Sequence, residues 1–384
     1  MGSIDDVDGR SRKAANPSLR VLVTISLLAG SGCGARVVTS TDSLKDSAPV
    51  DGAVDTTIAR DTATPSDGTI DAALDSSLPP GWSRHDFADG NDRYTVFART
   101  PIDVWTIASN ADQLSRWDGS TWHDVPLGTS APAETIWAAS ATDIFTGGID
   151  TAKRRGDGHS WTGWGGPEEI SGIWGTSSTD VWAVGLESLS GGPSPNVIMH
   201  YDGTSWARSK EWPQPSIIVK DWRYDFTVHG TGPDNVWAFK HAAEGTGVLI
   251  GPPEMFRWDG TVWTSKGYLR YDGLGAGGAN SGRLWVLSPE DVWVVYAGEL
   301  YHYDGASFEH VDVPGTFSAV WASNAHDVWA VGTAGLIARY DGASWSVTTP
   351  LVSAHLFAIH GKSADDVWIV GARGVALHFG TTRH

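Results

Sequence analysis

The stretch FSAVWASNAHDVWAVGTAGLIARYDGASW, residues 317–345, reads as a single unit of four short β-strands. Runs of Val, Ile, Trp and Tyr alternate with Gly, Asp and Asn every few residues, which favours strands and leaves no room for a long helix. The first strand is expected to run up to Trp321. The second covers Asp327–Val331, the third covers Leu336–Tyr340, and the fourth carries Trp345. Asp341 and Gly342 then form a two-residue hairpin turn, because both residue types tolerate positive φ.

The same template can be laid over the chain seven times, with an Asp or Asn followed two positions later by an aromatic anchor ring. The first residue recurs as Asp103, Asp143, Asp180, Asn235, Asp291, Asp327 and Asp366, and the anchor ring as Trp105, Phe145, Trp182, Trp237, Trp293, Trp329 and Trp368. A second ring precedes each repeated acid by six residues: Phe97, Trp137, Trp174, His229, Trp285, Trp321 and His360. The Asp-Gly turn returns at Asp118, Asp157, Asp202, Asp259, Asp304 and Asp341, with Trp122, Trp161, Trp206, Trp263, Phe308 and Trp345 after it.

Units of this kind cannot bury their faces alone and must stack, so the sequence predicts an all-β, seven-bladed β-propeller over residues 81–384. The seventh copy lacks its last strand, since the chain reaches only His378-Phe379-Gly380 after its third strand. A strand that would complete it precedes the first copy, at Gly81-Trp82-Ser83. We therefore expect the N-terminal strand to close the last blade and remove an exposed sheet edge.

Most repeated residues are interpreted as structural. The 21 tryptophans fall largely on template positions and are expected in the core. The repeated acids are expected to accept hydrogen bonds from turn N–H groups, since a catalytic site would need one such acid and not seven. The second ring of each copy is expected to wedge neighbouring blades, which makes His229 and His360 core histidines rather than metal ligands. The sequence thus predicts no catalytic residue, no metal site and no cofactor.

Residues 1–33 look like a leader. Basic residues precede the apolar run Val21–Gly30, which is too short to span a bilayer and has the length of a signal-peptide core. Small residues then lead to Cys33, the only cysteine. This segment resembles a bacterial lipoprotein signal, which implies lipidation of Cys33 after cleavage and a lipid-anchored place in the cell envelope, facing the periplasm or the exterior. Ordinary secretion is the alternative.

Residues 34–80 are expected to be a disordered acidic tether. Ser, Thr, Asp and Pro dominate, and eight aspartates stand against only three basic residues, so the segment cannot bury enough apolar surface to fold. The whole chain carries a formal net charge of −18. An acidic surface disfavours nucleic acid and anionic lipid, so the only membrane contact expected is through a lipid anchor. We expect a monomer.

Residues 81–384 as a whole resemble bacterial secreted repeat proteins with "DVWAVG…YDGxxW" units, which look like distant relatives of the Asp-box (BNR) and YVTN-type propellers. The resemblance implies the propeller fold and a surface or binding role. It carries no catalytic residues over to this chain.

Departures from the template point to a binding site. Additional residues occur at 186–197, 208–224, 240–254 and 264–283, which by the template all leave one face over blades three to five. Loops raised on a rigid scaffold are where binding usually resides. Three tryptophans lie off the template near these segments, and exposed rings beside charged groups suit a sugar face or a protein hot spot. The candidate ligand-binding residues are Trp164, Trp212, Lys220, Asp221, Trp222, Arg223, Tyr224, His241 and Glu244.

Three functions are compatible with these features. The first is a surface-tethered, non-enzymatic module that binds a glycan or a protein on the loop-rich face. The second is a structural component of the cell envelope. The third is a glycoside hydrolase or lyase on a propeller scaffold, for which Glu168, Glu169, Glu187, Asp221 and Glu244 are the carboxylates to inspect. The three off-template rings have an alternative interpretation too, as a small satellite core under the longer loops.

Overall fold

The computed structural model describes residues 78–109, 113–148, 153–187, 195–212, 226–240, 253–269 and 283–380. These residues form seven antiparallel sheets of four strands each, as the repeat predicts. No helix in this described part is long and apolar enough to cross a membrane. The Val-, Ile- and Trp-rich runs become strands because side chains alternate between two buried faces, one packed on each neighbouring blade.

The strands are numbered in chain order, beginning with β1 at Trp82–Arg84. Blade 1 holds β2 (Arg93–Thr100), β3 (Asp103–Ala108), β4 (Gln113–Trp117) and β5 (Trp122–Pro126). Blade 2 holds β6 (Ala133–Ser140), β7 (Asp143–Gly148), β8 (Arg154–Gly156) and β9 (Trp161–Gly163). Blade 3 holds β10 (Glu169–Ser177), β11 (Asp180–Leu186), β12 (Asn196–Tyr201) and β13 (Trp206–Trp212). Blade 4 holds β14 (Phe226–Gly232), β15 (Asn235–Lys240), β16 (Glu254–Trp258) and β17 (Trp263–Tyr268).

Blade 5 holds β18 (Arg283–Ser288), β19 (Asp291–Tyr296), β20 (Glu299–Tyr303) and β21 (Phe308–Val311). Blade 6 holds β22 (Phe317–Asn324), β23 (Asp327–Gly332), β24 (Ile337–Tyr340) and β25 (Trp345–Thr348). Blade 7 holds β26 (Leu356–Ser363), β27 (Asp366–Gly371) and β28 (Ala376–Gly380), with β1 as its fourth strand.

The predicted closure of the ring is confirmed. β1 pairs antiparallel with β28, with Trp82 opposite Phe379 and Arg84 opposite Leu377. The Trp82 indole then packs against Phe379 at 5.2 Å and against Trp329 of blade 6 at 6.0 Å between ring centroids. The first strand of the propeller therefore both completes the last sheet and fills the gap to the blade before it.

The strand order defines two faces. Connections from a first to a second strand and the Asp-Gly turns lie at one end of each blade, here called the turn face. Connections from a second to a third strand and those between blades lie at the other end, here called the loop face. The four predicted insertions all leave the loop face by this connectivity. They are shorter than the sequence indicates, because strands extend into them: Trp212 is the last residue of β13 and not part of a connection.

The anchor rings fill the seams between blades. At five seams the anchor tryptophan of one blade meets two aromatic rings of the next blade, one on its third strand and one on its fourth. Ring centroids lie 5.2 to 6.3 Å apart in the pairs Trp182–Trp258, Trp182–Trp263, Trp237–Tyr303, Trp237–Phe308, Trp293–Tyr340, Trp293–Trp345, Trp329–Phe379, Trp329–Trp82, Trp368–Trp117 and Trp368–Trp122. The two other seams both involve blade 2.

The repeated acids are structural, but their partners differ from the expected turn N–H groups. Each receives a hydrogen bond from an Arg or His on the third strand of its own blade. The pairs are Arg116–Asp103 (2.7 Å), Arg155–Asp143 (2.6 Å), His200–Asp180 (2.6 Å), Arg257–Asn235 (2.8 Å), His302–Asp291 (2.9 Å), Arg339–Asp327 (2.7 Å) and His378–Asp366 (2.8 Å). The reason is register, since the Arg or His stands directly opposite the anchor ring two residues after the acid. The turn N–H groups bond instead to the aspartates of the Asp-Gly turns.

Candidate functional site

The first strands of the blades surround a central channel. Their second rings contact each other around it, with centroids 4.1 Å apart for His229 and Trp285 and 5.0 Å apart for Phe97 and His360. The wedging role expected for these rings is therefore confirmed. A cavity of about 690 Å³ is lined by the C-terminal halves of the first strands, so it lies toward the turn face.

His229 and His360 each hold two blades together. The backbone N–H of Val286 donates to Nδ1 of His229 at 3.1 Å, and the N–H of Ala98 donates to Nδ1 of His360 at 3.1 Å. Both rings therefore carry their proton on Nε2 when neutral. Burial lowers the pKa of His229 to about 3, helped by His360, and burial also lowers the pKa of His360 to about 3, helped by the charge of Lys362. Both are neutral structural groups at pH 7.

The loop-face end of the channel is crossed by an arginine. Nη2 of Arg283, at the start of blade 5, donates to the carbonyl oxygen of Tyr94 in blade 1 at 3.3 Å. The ring of Tyr94 packs on Phe357 of blade 7 at 4.7 Å and is 45% exposed. Groups from three blades thus meet over the channel on the face where the insertions start.

The second feature of the loop face is an aromatic cluster at the seam between blades 3 and 4, here called the Trp212 cluster and made of Trp212, Phe256, Lys210 and Lys240. Trp212 packs on Phe256 with centroids 5.0 Å apart. Nζ of Lys210 lies 5.0 Å from the Trp212 ring, and Nζ of Lys240 lies 5.6 Å from it. An ammonium at this distance from an indole face is attracted by the ring electrons. The cluster stands where the connections 213–225 and 241–252 leave their strands.

The Trp212 cluster brings two ammonium groups to one indole in an acidic protein. Burial lowers the pKa of Lys240, Glu254 opposes that shift, and the neighbouring charge of Lys210 adds to it. Arg208 lies on the same strand and is held by Glu187 at 2.5 Å and by Glu211. A carboxylate brought between the two lysines would be stabilised by both charges.

Trp164, the other described tryptophan among the predicted site residues, lies in a different place. Its indole stacks on Trp206 at 4.6 Å in the seam between blades 2 and 3, and its Nε1 donates to the carbonyl oxygen of Thr146 at 3.1 Å. The cavity beside it reaches Thr204 and Ser205, which belong to an Asp-Gly turn on the turn face. The structure therefore does not bring Trp164 and Trp212 together.

The remaining predicted residues lie outside the described part of the chain. They are Lys220, Asp221, Trp222, Arg223, Tyr224, His241 and Glu244, together with Cys33. Of the carboxylates singled out for an enzyme, Glu187 is occupied by the ion pair with Arg208.

Sequence reasoning missed Lys210, Lys240 and Phe256. Lys240 ends β15 and Lys210 lies on β13, so their meeting depends on the packing of blade 3 against blade 4. A signal was present, because Lys210 lies near the end of the strand before the insertion that contains Trp222, and Lys240 ends the strand before the next insertion. The repeat spacing indicates loops in those segments, whereas the strands extend into them as far as Trp212 and Lys240.

Comparison with known proteins agrees with the fold. No protein-family model and no curated protein sequence matches this chain. The solved structures that resemble it include YCF48 bound to D1 peptide, with a TM-score of 0.56, 14% identity, and coverage of 79% of this chain and 98% of that one. YCF48 from Cyanidioschyzon merolae gives 0.55 and 15%, covering 78% and 99%. The WD40 propeller domain of Doa1 gives 0.52 and 12%, covering 78% and 96%.

At these identities the likeness concerns the fold alone. The relationship to the secreted repeat family with "DVWAVG…YDGxxW" units stays a prediction, as does the lipoprotein leader. The chain is a seven-bladed β-propeller, and it shares that fold with proteins that have few residues in common with it.

Proposed function

We propose that this chain is a non-enzymatic protein-binding propeller that recognises an acidic peptide segment on its loop face. The observation that carries the proposal is the Trp212 cluster, in which a half-buried indole is flanked by the ammonium groups of Lys210 and Lys240. Tryptophan beside basic groups is typical of binding hot spots, where the ring supplies contact area and the charges fix orientation.

The position of the cluster supports the same proposal. It stands at the base of two insertions on a rigid scaffold, which is where propellers can vary without disturbing their blades. One propeller of similar fold is bound to a peptide, so the architecture is compatible with a peptide ligand. An acidic partner is favoured over a neutral glycan because the ammonium groups of two lysines lie beside the ring.

The proposal is tested by offering the full-length chain both a random peptide display library and a glycan array. We expect enrichment of peptides that carry acidic residues next to an apolar side chain, with affinity that falls as salt is raised. Trp212→Ala and the double variant Lys210→Glu/Lys240→Glu should lose this binding. Ile102→Ala is the matched control, because Ile102 is 51% exposed but lies on the turn face.

Two results would contradict this function. Unchanged peptide binding by both loop-face variants would place the site elsewhere. Binding to glycans and to no peptide would favour the glycan ligand instead.

We also propose that the propeller is held at the cell envelope through a lipid on Cys33, with residues 34–80 as a spacer. The support is the order of basic residues, apolar run and small residues before the only cysteine. Expression with labelled palmitate in a bacterial host should label the wild-type chain and not Cys33→Ser. Cleavage without labelling in both would leave ordinary secretion.

A further inference from the structure

The seam between blades 2 and 3 is built differently from the regular seams. Blade 2 carries Phe145 at the anchor position where the other six blades carry Trp. A phenyl ring reaches less far into the next blade than an indole. A cavity of about 310 Å³ lies at this seam, bordered by Phe145 on one side and by Trp206 on the other.

The cavity has an aromatic wall that is still accessible. Trp164 stacks on Trp206 with an interplanar angle of 26°, and Trp206 stacks on Tyr201 at 5.3 Å and 30°. All three rings are only half-buried. Phe145 contacts Trp164 edge-on at 6.0 Å, so the off-template indole takes over part of the space that an anchor tryptophan fills elsewhere. Because Trp206 stacks with both Trp164 and Tyr201, Trp164 supplies the flat apolar surface next to the open volume.

The polar side of the cavity is centred on Arg155. Its Nε and Nη2 donate to Asp143 at 2.6 and 3.0 Å, and Nη2 also donates to the carbonyl oxygen of Ser178 at 3.4 Å. Nη1 reaches the hydroxyl of Tyr201 at 3.4 Å, which leaves one N–H of the guanidinium without a partner among the described residues. Ser205 lines the same space. Because Asp143 offsets the charge of Arg155, this side offers hydrogen bonds without net charge.

We propose that this cavity is a binding site for a neutral pyranose, a single sugar ring. The flat C–H face of such a ring can lie on the side of the Trp164 indole that is turned away from Trp206, while its hydroxyls exchange hydrogen bonds with Arg155 and Ser205. The volume falls at the lower end of the roughly 300–1,000 Å³ range of ligand pockets, which suits one ring. The site is independent of the proposed peptide site, since it lies at another seam and opens beside the turn face.

The test uses the full-length chain and methyl glycosides of glucose, galactose, mannose and N-acetylglucosamine, with the methyl glycoside of glucuronic acid as an anionic comparison. Binding is measured by saturation-transfer NMR and by titration of tryptophan fluorescence. At least one neutral glycoside is expected to saturate, with the strongest transfer to the C–H protons of one face. The glucuronide is expected to bind no better.

Two variants close the cavity without removing the stacked rings. Phe145→Trp restores the residue that the other blades carry, and Thr162→Tyr adds a ring at an exposed position that lines the cavity. Both are expected to keep the fold by circular dichroism and to weaken glycoside binding at least about tenfold, a change of ~1.4 kcal/mol. Val347→Ala is the control, because Val347 is 49% exposed on β25 of blade 6, and it should leave glycoside binding unchanged.

Three outcomes would overturn the proposal. One is that no neutral glycoside saturates. Another is that both cavity-closing variants bind as the wild type does. The third is that the glucuronide binds more tightly than every neutral glycoside, which would mean that charge and not stacking governs the site.

Discussion

The seam between blades 6 and 7 and the seam between blades 2 and 3 are made from the same template and differ in what fills them. At the first, Trp329 meets Phe379 at 5.2 Å and Trp82 at 6.0 Å between ring centroids. At the second, Phe145 replaces the tryptophan, Trp164 stacks on Trp206, and a cavity lies beside these rings. The seam that keeps the template residues is filled by packed aromatic rings, and the seam that departs from the template contains a cavity.

The largest expected effect comes from breaking a complete seam. Trp329→Ala removes a ring that is 2% exposed and whose Nε1 donates to Asp327 at 3.0 Å. We expect a loss of about 4 kcal/mol in the free energy of unfolding. Trp164→Ala at the incomplete seam should cost less, about 2 kcal/mol, because its ring is half-exposed. Urea unfolding at pH 7 compares them, and equal losses would argue against a difference between the seams.

Removing the closing ring should be the next largest change. Trp82→Ala leaves β1 paired with β28 but deletes the contacts with Trp329 and Phe379. The expected loss is about 3 kcal/mol, at the low end for a large aromatic residue because Trp82 is half-buried. Thermal unfolding measures it, with Ser83→Ala as the control on the same strand. An unchanged melting temperature would mean that β1 contributes little to the last blade.

Lowering the pH should destabilise the contacts around the central channel, where His229 and His360 lie, before it affects the contacts between anchor rings at the seams. His229 and His360 have pKa values of about 3 in the folded protein, below the ordinary value of 6.5. Their contribution to stability is therefore complete above pH 6.5 and is lost as pH falls toward 3, at up to ~1.4 kcal/mol per pH unit for each ring. His229→Gln, which keeps an acceptor for the N–H of Val286, should flatten this dependence between pH 6 and 4. A profile as steep as that of the wild type would contradict the assignment.

The smallest effect is expected at an Asp-Gly turn. Hydrogen bonds from the backbone N–H of Ser205 and from Thr204 lower the pKa of Asp202 to about 2. The stability from this carboxylate is present above its ordinary pKa near 3.8 and is lost as pH falls toward 2. Asp202→Asn keeps an acceptor for the turn and should leave the melting temperature at pH 7 nearly unchanged, while Asp202→Ala should lower it slightly. Equal melting temperatures for Ala and Asn would show that the side-chain acceptor is dispensable.

The fold could be predicted from sequence because its determinants are local and repeated. Asp327, Trp329 and the Asp341-Gly342 turn recur at nearly constant spacing, so strand order, blade number and ring closure followed directly. The partners of the repeated acids were not predicted, since Arg339 reaches Asp327 only through the register of two strands. The contacts between side chains of neighbouring blades were even harder to predict from the sequence. The Trp212 cluster joins residues from blades 3 and 4, and nothing in the linear spacing places Lys210 beside Lys240.

The pairing of β1 with β28 also has a kinetic consequence. The two partner strands lie at residues 82–84 and 376–380, so this sheet contains the most distant contacts of the propeller along the chain. Loop closure over such a separation is slow, and its entropy cost is offset by stabilising contacts only when the blades between are already stacked. During synthesis Trp82 leaves the ribosome long before Phe379 does. Until that last strand arrives the nascent propeller is an open arc with an unpaired edge at each end, and that interval is when it is most exposed to mispairing.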